Sequence, residues 1–335
     1  MTHAEAPVKV LYILGAGRSG STILDIVVGN HPDLQSTGEL ANLVRTGWVG
    51  GDTLGGIERR RLRIPICTCG KRLDIPEIED SAEACPFWSS VRREWVGRVG
   101  PRDDIESYPA LQDEFEKFTR WPRLLRERLR PSPRFQFYAR LTRAFFESIR
   151  AVSGKPVIVD STKAPSRAFA LSMVPGIDLR VAHLVRDARG VMSSRRKTLR
   201  KDVEAGIEWT QESRPIWETA VVWVLFNLIS EWVCVQVGAD RAVRLRHEDL
   251  YEDTGGELDK IGLLTESDLR GVADAASSGK TMQVGHNIGG NRMRKSESVT
   301  LKPDPQEWRS ALSASEQRLS WALMGWLMRR YGYKG

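Results

Sequence analysis

Residues 8–22 hold the densest chemical pattern of the sequence. The apolar run Val8 to Leu14 predicts a buried strand, Ser21 to Gly29 predicts a helix, and between them lies the turn Gly15-Ala-Gly-Arg-Ser-Gly20. A glycine turn at a helix start collects backbone N–H groups at the positive end of the helix dipole. The sequence therefore predicts a cradle for a phosphate or another anion.

The residues after this turn separate two classes of nucleotide-binding protein. The spacing Gly15-x4-Gly20 matches the Walker A loop of NTPases, but Ser21-Thr22 follows where a Lys-Ser/Thr pair would stand. That lysine reaches the β- and γ-phosphates in NTPases. Here the cation is Arg18, which can set a guanidinium beside an anion held by the backbone. An ordinary strand–helix turn also favours glycine, so the loop alone leaves both interpretations open.

The segment Arg18-Ser-Gly-Ser-Thr22 after a strand resembles the 5′-phosphosulfate loop of sulfotransferases. These enzymes use 3′-phosphoadenosine 5′-phosphosulfate (PAPS) as donor and release adenosine 3′,5′-bisphosphate (PAP). The resemblance implies that the donor is bound by the turn and the start of the helix, namely Gly17, Arg18, Ser19, Gly20, Ser21 and Thr22.

A second segment of the same resemblance begins at Arg186-Asp187-Ala188-Arg189, where an apolar strand ends, and reaches Ser194. The family pattern Arg-Asp-Pro-Arg…Ser grips the donor's 3′-phosphate, since a guanidinium gives a bidentate charged clamp and a hydroxyl adds one bond. Ala188 replaces the usual proline, which changes turn stiffness without removing a ligand. The alternative for Arg186 and Asp187 is an ion pair at a strand end.

A third, looser match is the glycine-rich basic loop from His286 to Arg294. It resembles the late loop that closes over the 3′-phosphate in many sulfotransferases. The resemblance implies a binding role for Arg292, and more weakly for Arg294. A solvated basic turn is the alternative.

Glu39 is the candidate general base, because Gly38-Glu39 follows the first helix as it does in the tyrosylprotein and related sulfotransferases. A parallel sheet would bring Glu39 to the same edge as Arg18. An ordinary carboxylate is a weak base, so the prediction includes a partly desolvated site. The alternative is a helix N-cap. His183, in mid-strand, is predicted to lie in the core.

Lys163 follows the predicted strand Pro156 to Asp160. Sulfuryl transfer needs the acceptor deprotonated and the departing phosphate oxygen stabilised. A cation at this strand end fits the second need beside Arg18, and related sulfotransferases carry a lysine at a comparable place. Because the donor is already activated, no metal is required. The alternative for Lys163 is a surface lysine.

Composition allows this chemistry without selecting it. The 335 residues carry a formal net charge of +7 with a pI near 9.3, which suits a polyanionic ligand but does not choose among nucleotide, nucleic acid and anionic glycan. The apolar stretch Thr219 to Val237 contains Asn227, Glu231 and Gln236, so it predicts a buried helix rather than a membrane span. No secretory leader is apparent, and the four cysteines are expected to be reduced thiols in the cytoplasm.

Alternating strands and helices predict an α/β fold, a P-loop-type parallel sheet flanked by helices. We expect a single domain over residues 1–335, with an irregular, partly to mostly helical insertion at about 45–135. Tryptophans in this insertion, such as Trp88 and Trp95, either pack in a core or line a cleft.

Cys67-x-Cys69, followed by Cys85, resembles half of a metal knuckle. Zinc usually takes four ligands, and no fourth one lies nearby in the sequence. The spacing therefore favours structural packing and no metal, with a metal site as the alternative.

Together these segments predict a PAPS-dependent sulfotransferase with catalytic Glu39, Arg18 and Lys163. The acceptor would be a hydroxyl or amine of a small molecule, carbohydrate or peptide, with neither nucleic acid nor membrane as partner; the oligomeric state is open. Two alternatives remain: a P-loop kinase or NTPase, because Val157 to Asp160 imitates a Walker B strand, and a non-enzymatic basic anion-binding module.

Overall fold

The computed structural model describes residues 6–48, 66–74, 81–100, 105–197, 213–290, 292–301 and 306–335. For Arg292 and Lys295 it describes the backbone alone. Part of the predicted 45–135 insertion therefore lies outside the described residues.

The centre of the fold is a five-stranded parallel sheet in the order β2-β3-β1-β4-β5. Its strands are β1 (Val8–Leu14), β2 (Leu34–Ser36), β3 (Val157–Lys163), β4 (Ile177–Val185) and β5 (Ala242–Arg246). A short antiparallel pair, β6 (Met282–Gln283) and β7 (Ser298–Val299), lies apart from it. The predicted α/β fold class is confirmed.

The parallel pairing of β1 with β3 and β4 aligns the carboxyl ends of these strands, where the candidate site residues lie. Leu14, the last residue of β1, lies opposite Lys163 of β3 and His183 of β4. Because the strands run parallel, the turns that follow them emerge at one edge of the sheet. The glycine turn (residues 15–20), Lys163 and Arg186 therefore share that edge.

Thirteen α-helices in the described residues surround the sheet or build on it. In chain order they are α1 (Ser21–Gly29), α2 (Pro86–Val99), α3 (Tyr108–Phe115), α4 (Trp121–Leu129), α5 (Pro133–Ser153), α6 (Pro165–Leu171), α7 (Ala188–Arg196), α8 (Ile216–Val237), α9 (Asp249–Glu252), α10 (Thr254–Thr265), α11 (Arg270–Ser277), α12 (Trp308–Ala311) and α13 (Ala314–Arg330).

Side chains of β1 alternate between two cores, as a sheet covered on both faces requires. Val10 and Tyr12 pack with the aromatic residues of α2, α3 and α5, whereas Leu11 and Ile13 pack with α1, α10 and α11. A third cluster joins the end of β4 to α7, α8 and α13. Helices thus pack on both faces of the sheet and hold in place the carboxyl edge, where the glycine turn and Lys163 lie.

The described part of the insertion is more regular than its sequence periodicity indicated. Besides α2, α3 and α4 it contains a π-helix, Leu43–Trp48, and 3₁₀ turns at Ile105–Ser107 and Phe118–Arg120. Trp88 and Trp95 are fully buried, and the rings of Trp95 and Phe145 have centroids 4.9 Å apart. These two tryptophans therefore build a core and do not line a cleft.

Helix α8 is buried on one face only, which corrects the prediction of a buried core helix. Trp223 and Asn227 face the interior, while Trp217 and Val235 are 65% and 74% exposed. Among the described residues this helix has the length and apolar composition to cross a bilayer, a property that helices of proteins outside membranes also have. By themselves these properties are weak evidence for a span.

A buried ionic cluster links the insertion to β3. The guanidinium of Arg167, 1% exposed, donates to Asp160 Oδ2 at 3.0 Å and to Glu116, which also accepts from the Tyr138 hydroxyl at 2.8 Å. Asp160 Oδ1 accepts from the backbone N–H of Thr162 at 2.9 Å. The cluster therefore holds the end of β3 that carries Lys163.

We predict that Arg167→Met lowers the free energy of unfolding by about 3–5 kcal/mol, because it leaves two buried carboxylates without their cation. Arg270→Met is the matched control: its ion pair with Asp268 is exposed, and we expect a change of about 0.5 kcal/mol or less. Urea unfolding measures both. Equal midpoints for the two variants would contradict the structural role of Arg167.

Candidate functional site

A cleft of about 430 Å³ opens at the carboxyl edge of the sheet. Its described lining contains five cations, Arg18, Lys163, Arg186, Arg195 and Arg214, and one carboxylate, Glu39. The other lining residues are small, polar or apolar: Gly17, Gly20, Ser21, Thr22, Ile23, Ser194, His247, Tyr251, Gly290 and Met293. Such a surplus of positive charge favours a ligand with several negative charges.

At two positions of the glycine turn, Gly15 and Gly20, any side chain would collide with neighbouring residues. At Gly20, φ is 94° and an added Cβ would lie 2.2 Å from Nδ1 of His247; at Gly15 it would lie 2.4 Å from the carbonyl oxygen of Leu184. Gly20 is the N-cap of α1 and supplies no side-chain cap, and the first-turn residues Ser21 and Thr22 line the cleft. Since the first amides of a helix lack intrahelical partners, this arrangement suits an anion.

Tertiary contacts join the first two sequence segments. Arg18 Nε donates to Ser194 Oγ at 2.8 Å, and Nη1 of Arg186 donates to the Arg18 carbonyl oxygen at 3.1 Å. Nε of Arg186 is buried without a hydrogen-bond partner among the described residues. The guanidinium is held in place through Nη1, and the half-buried side chain lines the cleft, where it can face an anion.

The ion pair suggested as an alternative for Arg186 is formed by a different arginine. Asp187 caps α7 through the backbone N–H of Arg189 and pairs with that guanidinium at 2.8 Å. Arg189 also lies 4.0 Å from the ring centroid of Trp308 and donates to the carbonyl oxygen of Lys334 at 2.7 Å. The residues of this segment therefore have different roles. Arg186 lines the cleft, whereas Asp187 and Arg189 stabilise the start of α7.

Glu39 and Lys163 form an ion pair inside the cleft, with each side chain 17% exposed. The second carboxylate oxygen of Glu39 accepts from Nδ2 of Asn42 at 3.0 Å. Lys163 adopts a left-handed backbone with φ of 73°, which turns the chain at the end of β3. The described contacts place Glu39 against side chains rather than at a helix cap, and Lys163 is not a surface lysine.

The other residues predicted to bind the donor differ in their position relative to the cleft. Gly17 lines the cleft, whereas Ser19 is 1% exposed and lies beneath the turn, outside the lining. The side chain of Arg292 lies outside the described residues, although its neighbours Gly290 and Met293 line the cleft. Arg294 is buried at 1% exposure.

His247 is the main lining residue that sequence analysis missed. It directly follows β5, so its place after a parallel strand was the available signal. Burial, and then the charge of Arg186, lowers its pKa to about 3, so the imidazole is neutral at physiological pH. Its Nδ1 is buried without a hydrogen-bond partner among the described residues. The ring thus packs against the backbone of Gly20 and lines the cleft without adding charge.

Arg195, Arg214 and Tyr251 also line the cleft and were not predicted. Burial, and then the neighbouring Arg214, lowers the pKa of Arg195, which reflects the crowding of cations here. In contrast, His183 lies in the core as predicted: it is 1% exposed and its Nε2 lies 3.1 Å from Oδ1 of Asn227. Burial lowers its pKa to about 4.

Behind the cleft, a buried carboxyl connects three segments. Asp25 Oδ2 in α1 accepts from the backbone N–H of Gly38 and from Nδ2 of Asn287, each at 3.1 Å. The hydroxyl of Ser36 donates to Asn287 Oδ1 at 2.7 Å. Burial raises the pKa of Asp25 to about 8, so the group is protonated at neutral pH. Asp25 thereby fixes the backbone just before Glu39.

Comparison with known proteins gives a family match over residues 11–264, to a family described as the sulfotransferase family. A search of curated protein sequences gives no significant match. The matched segment includes the glycine turn, Glu39, Lys163, Arg186 and Ser194.

Solved structures with similarity over nearly the whole chain include two domains and one enzyme. The sulfotransferase domain from the Synechococcus PCC 7002 olefin synthase is 20% identical, with 100% of this chain and 98% of that chain covered and a TM-score of 0.47. The sulfotransferase domain from the curacin biosynthetic pathway is 15% identical, with 99% of each chain covered and a TM-score of 0.44. Sulfotransferase STF9 from Mycobacterium avium is 12% identical, covers 98% and 79%, and has a TM-score of 0.45.

The state of Asp25 predicts a pH dependence. In the folded protein its pKa is about 8, while the unfolded chain ionises near the ordinary value of about 3.9. The folded state therefore binds the extra proton, and the contribution of Asp25 to stability is complete below about pH 4 and is lost as the pH rises through about 8. Asp25→Asn keeps a carbonyl oxygen for Gly38 and Asn287 but does not titrate.

We expect the free energy of unfolding in urea to fall more steeply between about pH 5 and pH 8 for the wild type than for Asp25→Asn, by up to ~1.4 kcal/mol per pH unit. Asp268→Asn is the control, because Arg270 lowers the pKa of that exposed carboxyl and moves its titration below this range. Parallel slopes for wild type and Asp25→Asn would show that Asp25 is ionised in the fold.

Proposed function

The chain belongs to the sulfotransferase family, and on that premise we propose that it transfers the sulfuryl group of PAPS to a hydroxyl or amine acceptor. The observation that carries the proposal is the convergence of Arg18, Arg186 and Ser194 through direct hydrogen bonds at the edge of the cleft. Arg18 precedes Arg186 by 168 residues and Ser194 by 176, yet all three side chains line one cation-rich cleft, which supports an anionic ligand beside them.

For the donor, the glycine turn and the first turn of α1 would hold the 5′-phosphosulfate through backbone N–H groups. Arg186 and Ser194 would hold the 3′-phosphate, with the guanidinium giving the charged clamp. The backbone of Arg292–Lys295 follows lining residue Gly290, which keeps Arg292 a candidate for the same phosphate. When bound, PAPS supplies a sulfuryl group already activated for transfer.

Glu39 would accept the proton of the attacking hydroxyl or amine as the bond from the acceptor to sulfur forms. Lys163 and Arg18 would stabilise the negative charge on the phosphate oxygen when its bond to sulfur breaks, and PAP is released. The direct contact between Glu39 and Lys163 supports this division, since it puts the proton acceptor beside the cation that serves the leaving group.

The proposal extends to the setting of the reaction. The acceptor would be a small molecule, carbohydrate or peptide, nucleic acid and membrane would take no part, and the protein would work in the cytoplasm. A P-loop kinase is the second candidate, because Asp160 ends a Walker B-like run, but Arg167 and Thr162 already engage that carboxylate. A non-enzymatic anion-binding module would use the same cations without turnover.

We predict that PAP raises the melting temperature without magnesium and that Arg186→Ala weakens PAP binding by about 10- to 100-fold, the loss expected from one charged hydrogen-bonding group. Arg270→Ala, at an exposed arginine outside the cleft, should bind PAP like the wild type. Thermal shift and titration calorimetry measure these values. Stabilisation by Mg-ATP and not by PAP would favour the kinase.

We predict that Glu39→Gln keeps PAP binding and lowers kcat by about 10²- to 10⁴-fold, because a positioned base contributes that much. An acceptor is first found by screening hydroxyl and amine compounds with labelled PAPS. Glu83→Gln is the control, since that side chain is 72% exposed and lies outside the cleft lining. Wild-type turnover by Glu39→Gln would remove Glu39 as the base.

A further inference from the structure

Four side chains of metal-ligand type meet outside the cleft: Cys67, Cys69, Cys85 and His286. Their ligand atoms all lie within 4.8 Å of one another. No fourth ligand lies near the three cysteines in the sequence, but the fold supplies one. His286 comes from a loop about 200 residues further along the chain.

The separations match the edges of a small coordination tetrahedron. Nδ1 of His286 lies 3.6 Å from Sγ of Cys67 and 3.4 Å from Sγ of Cys85, and the sulfurs of Cys69 and Cys85 are 3.6 Å apart. Tetrahedral zinc with Zn–S of about 2.3 Å and Zn–N of about 2.0 Å places two sulfurs about 3.8 Å apart and sulfur and nitrogen about 3.5 Å apart. These three separations therefore fit a tetrahedral zinc ion, and the remaining ones are within 4.8 Å.

The backbone around the cysteines is built as a compact knuckle. Cys67 N–H donates to the carbonyl oxygen of Lys71 at 2.8 Å, and Gly70, with φ of 80°, donates to the Cys67 carbonyl oxygen at 2.9 Å. Cys85 N–H donates to the carbonyl oxygen of Arg72 at 2.8 Å, which ties the third cysteine to the turn that carries the first two. The sulfurs converge because the main chain holds them.

The imidazole of His286 is oriented by its own contacts. Its ring stacks on Phe87, with centroids 5.2 Å apart and an interplanar angle of 13°, and its carbonyl oxygen accepts from Nε1 of Trp88 at 2.8 Å. Phe87 and Trp88 follow Cys85 after Pro86, in the first turn of α2. The segment that supplies one sulfur thus also presents Nδ1 to the cluster.

A disulfide accounts for the cluster less well than a metal. A bond between Cys69 and Cys85 would shorten their sulfur separation from 3.6 Å to about 2.05 Å. It would use two of the four groups and leave Cys67 and His286 facing them. Three sulfurs and one imidazole nitrogen are a donor set that zinc prefers, and four protein ligands are typical of a structural rather than a catalytic zinc site.

The histidine's loop also reaches the cleft. Asn287 donates its N–H to Oγ1 of Thr68 within the knuckle at 2.9 Å, and its side chain bonds Asp25 and Ser36. Ile288 exchanges backbone hydrogen bonds with Thr37 and Glu39 on either side of Gly38. An added Cβ on Gly290 would lie 2.9 Å from Oγ1 of Thr22 in α1. The cluster and the backbone of Glu39 are therefore connected through one short loop.

We propose that Cys67, Cys69, Cys85 and His286 bind one Zn²⁺ ion that fastens the loop of residues 285–290 against Glu39 and the start of α1. The metal site itself is independent of the reaction; only its effect on catalysis rests on the proposed function. Zinc would act here through structure, since all four ligand positions are filled by the protein.

Elemental analysis tests the site on the full chain, purified from zinc-supplemented medium through a tag without histidine. We expect about one zinc per chain and the visible absorption of a tetrahedral thiolate complex after exchange with Co²⁺. Cys69→Ser, at the exposed cysteine, should lower the zinc content at least tenfold, whereas Cys234→Ser, outside the cluster, should leave it unchanged. Zinc-free wild type with a Cys69–Cys85 disulfide, or undiminished zinc in Cys69→Ser, would overturn the proposal.

A second measurement avoids dependence on the folding of a variant. Zinc is withdrawn from the wild type with a thiol-blocking mercurial and a chelator, and hydrogen exchange is followed by peptide. We expect exchange of residues 285–290 to rise at least tenfold while β1 and β4 stay protected; equal exchange before and after removal would refute the fastening role. Zinc content is measured without PAPS, so a protein that holds zinc but fails to bind PAP would refute only the proposed function.

Discussion

The parallel register of β1 between β3 and β4 is the constraint on which the site depends. It places Leu14 opposite both Lys163 and His183, so the glycine turn, Lys163 and the Arg186 segment leave the sheet together. The two cores pack the faces of β1 from opposite sides, and a slip of one residue would exchange their side chains. Burial thus fixes the strand register, and the register fixes which functional groups meet.

At this edge the fold gathers charge that the protein itself only partly neutralises. Five cations and a single carboxylate line the described cleft, and burial lowers the pKa values of Arg195 and His247. Repulsion among these cations lowers the stability of the fold while no anion is present. An anionic ligand that binds only the folded state would offset this loss. The neutral forms of Asp25 and His247 fit this balance, since neither group adds charge close to the cleft.

The insertion contributes to the site from a distance. Its ionic cluster around Arg167 holds the end of β3, and its cysteine knuckle contacts the loop that pairs with the backbone on both sides of Gly38. Its tryptophans meanwhile extend the core beneath α5. The insertion, which the sequence predicted as irregular, therefore supports the two segments that carry Lys163 and Glu39.

Much of the fold was readable from the sequence because its signals are local. The apolar run Val8 to Leu14 was predicted and is the whole of β1, and the glycines of the following turn indicated its conformation through residue type. Three insertion helices were not predicted individually, although α2 buries Trp88, Val91 and Trp95 on one face at helical spacing. Exposure of one face of α8 was also hidden, since apolar residues occupy both of its faces.

What the sequence determined by itself was the set of local chemistries: a strand–turn–helix for an anion, an arginine and a serine two helical turns apart, and a cysteine pair. Only the tertiary structure decided which of these meet. It brought Arg18 to Ser194, assigned Asp187 to Arg189 instead of Arg186, placed His247 against Gly20, and set His286 among the cysteines. The physical reason is that short-range preferences act along the chain, whereas partners across a sheet are chosen by strand order and burial, which depend on the whole sequence at once.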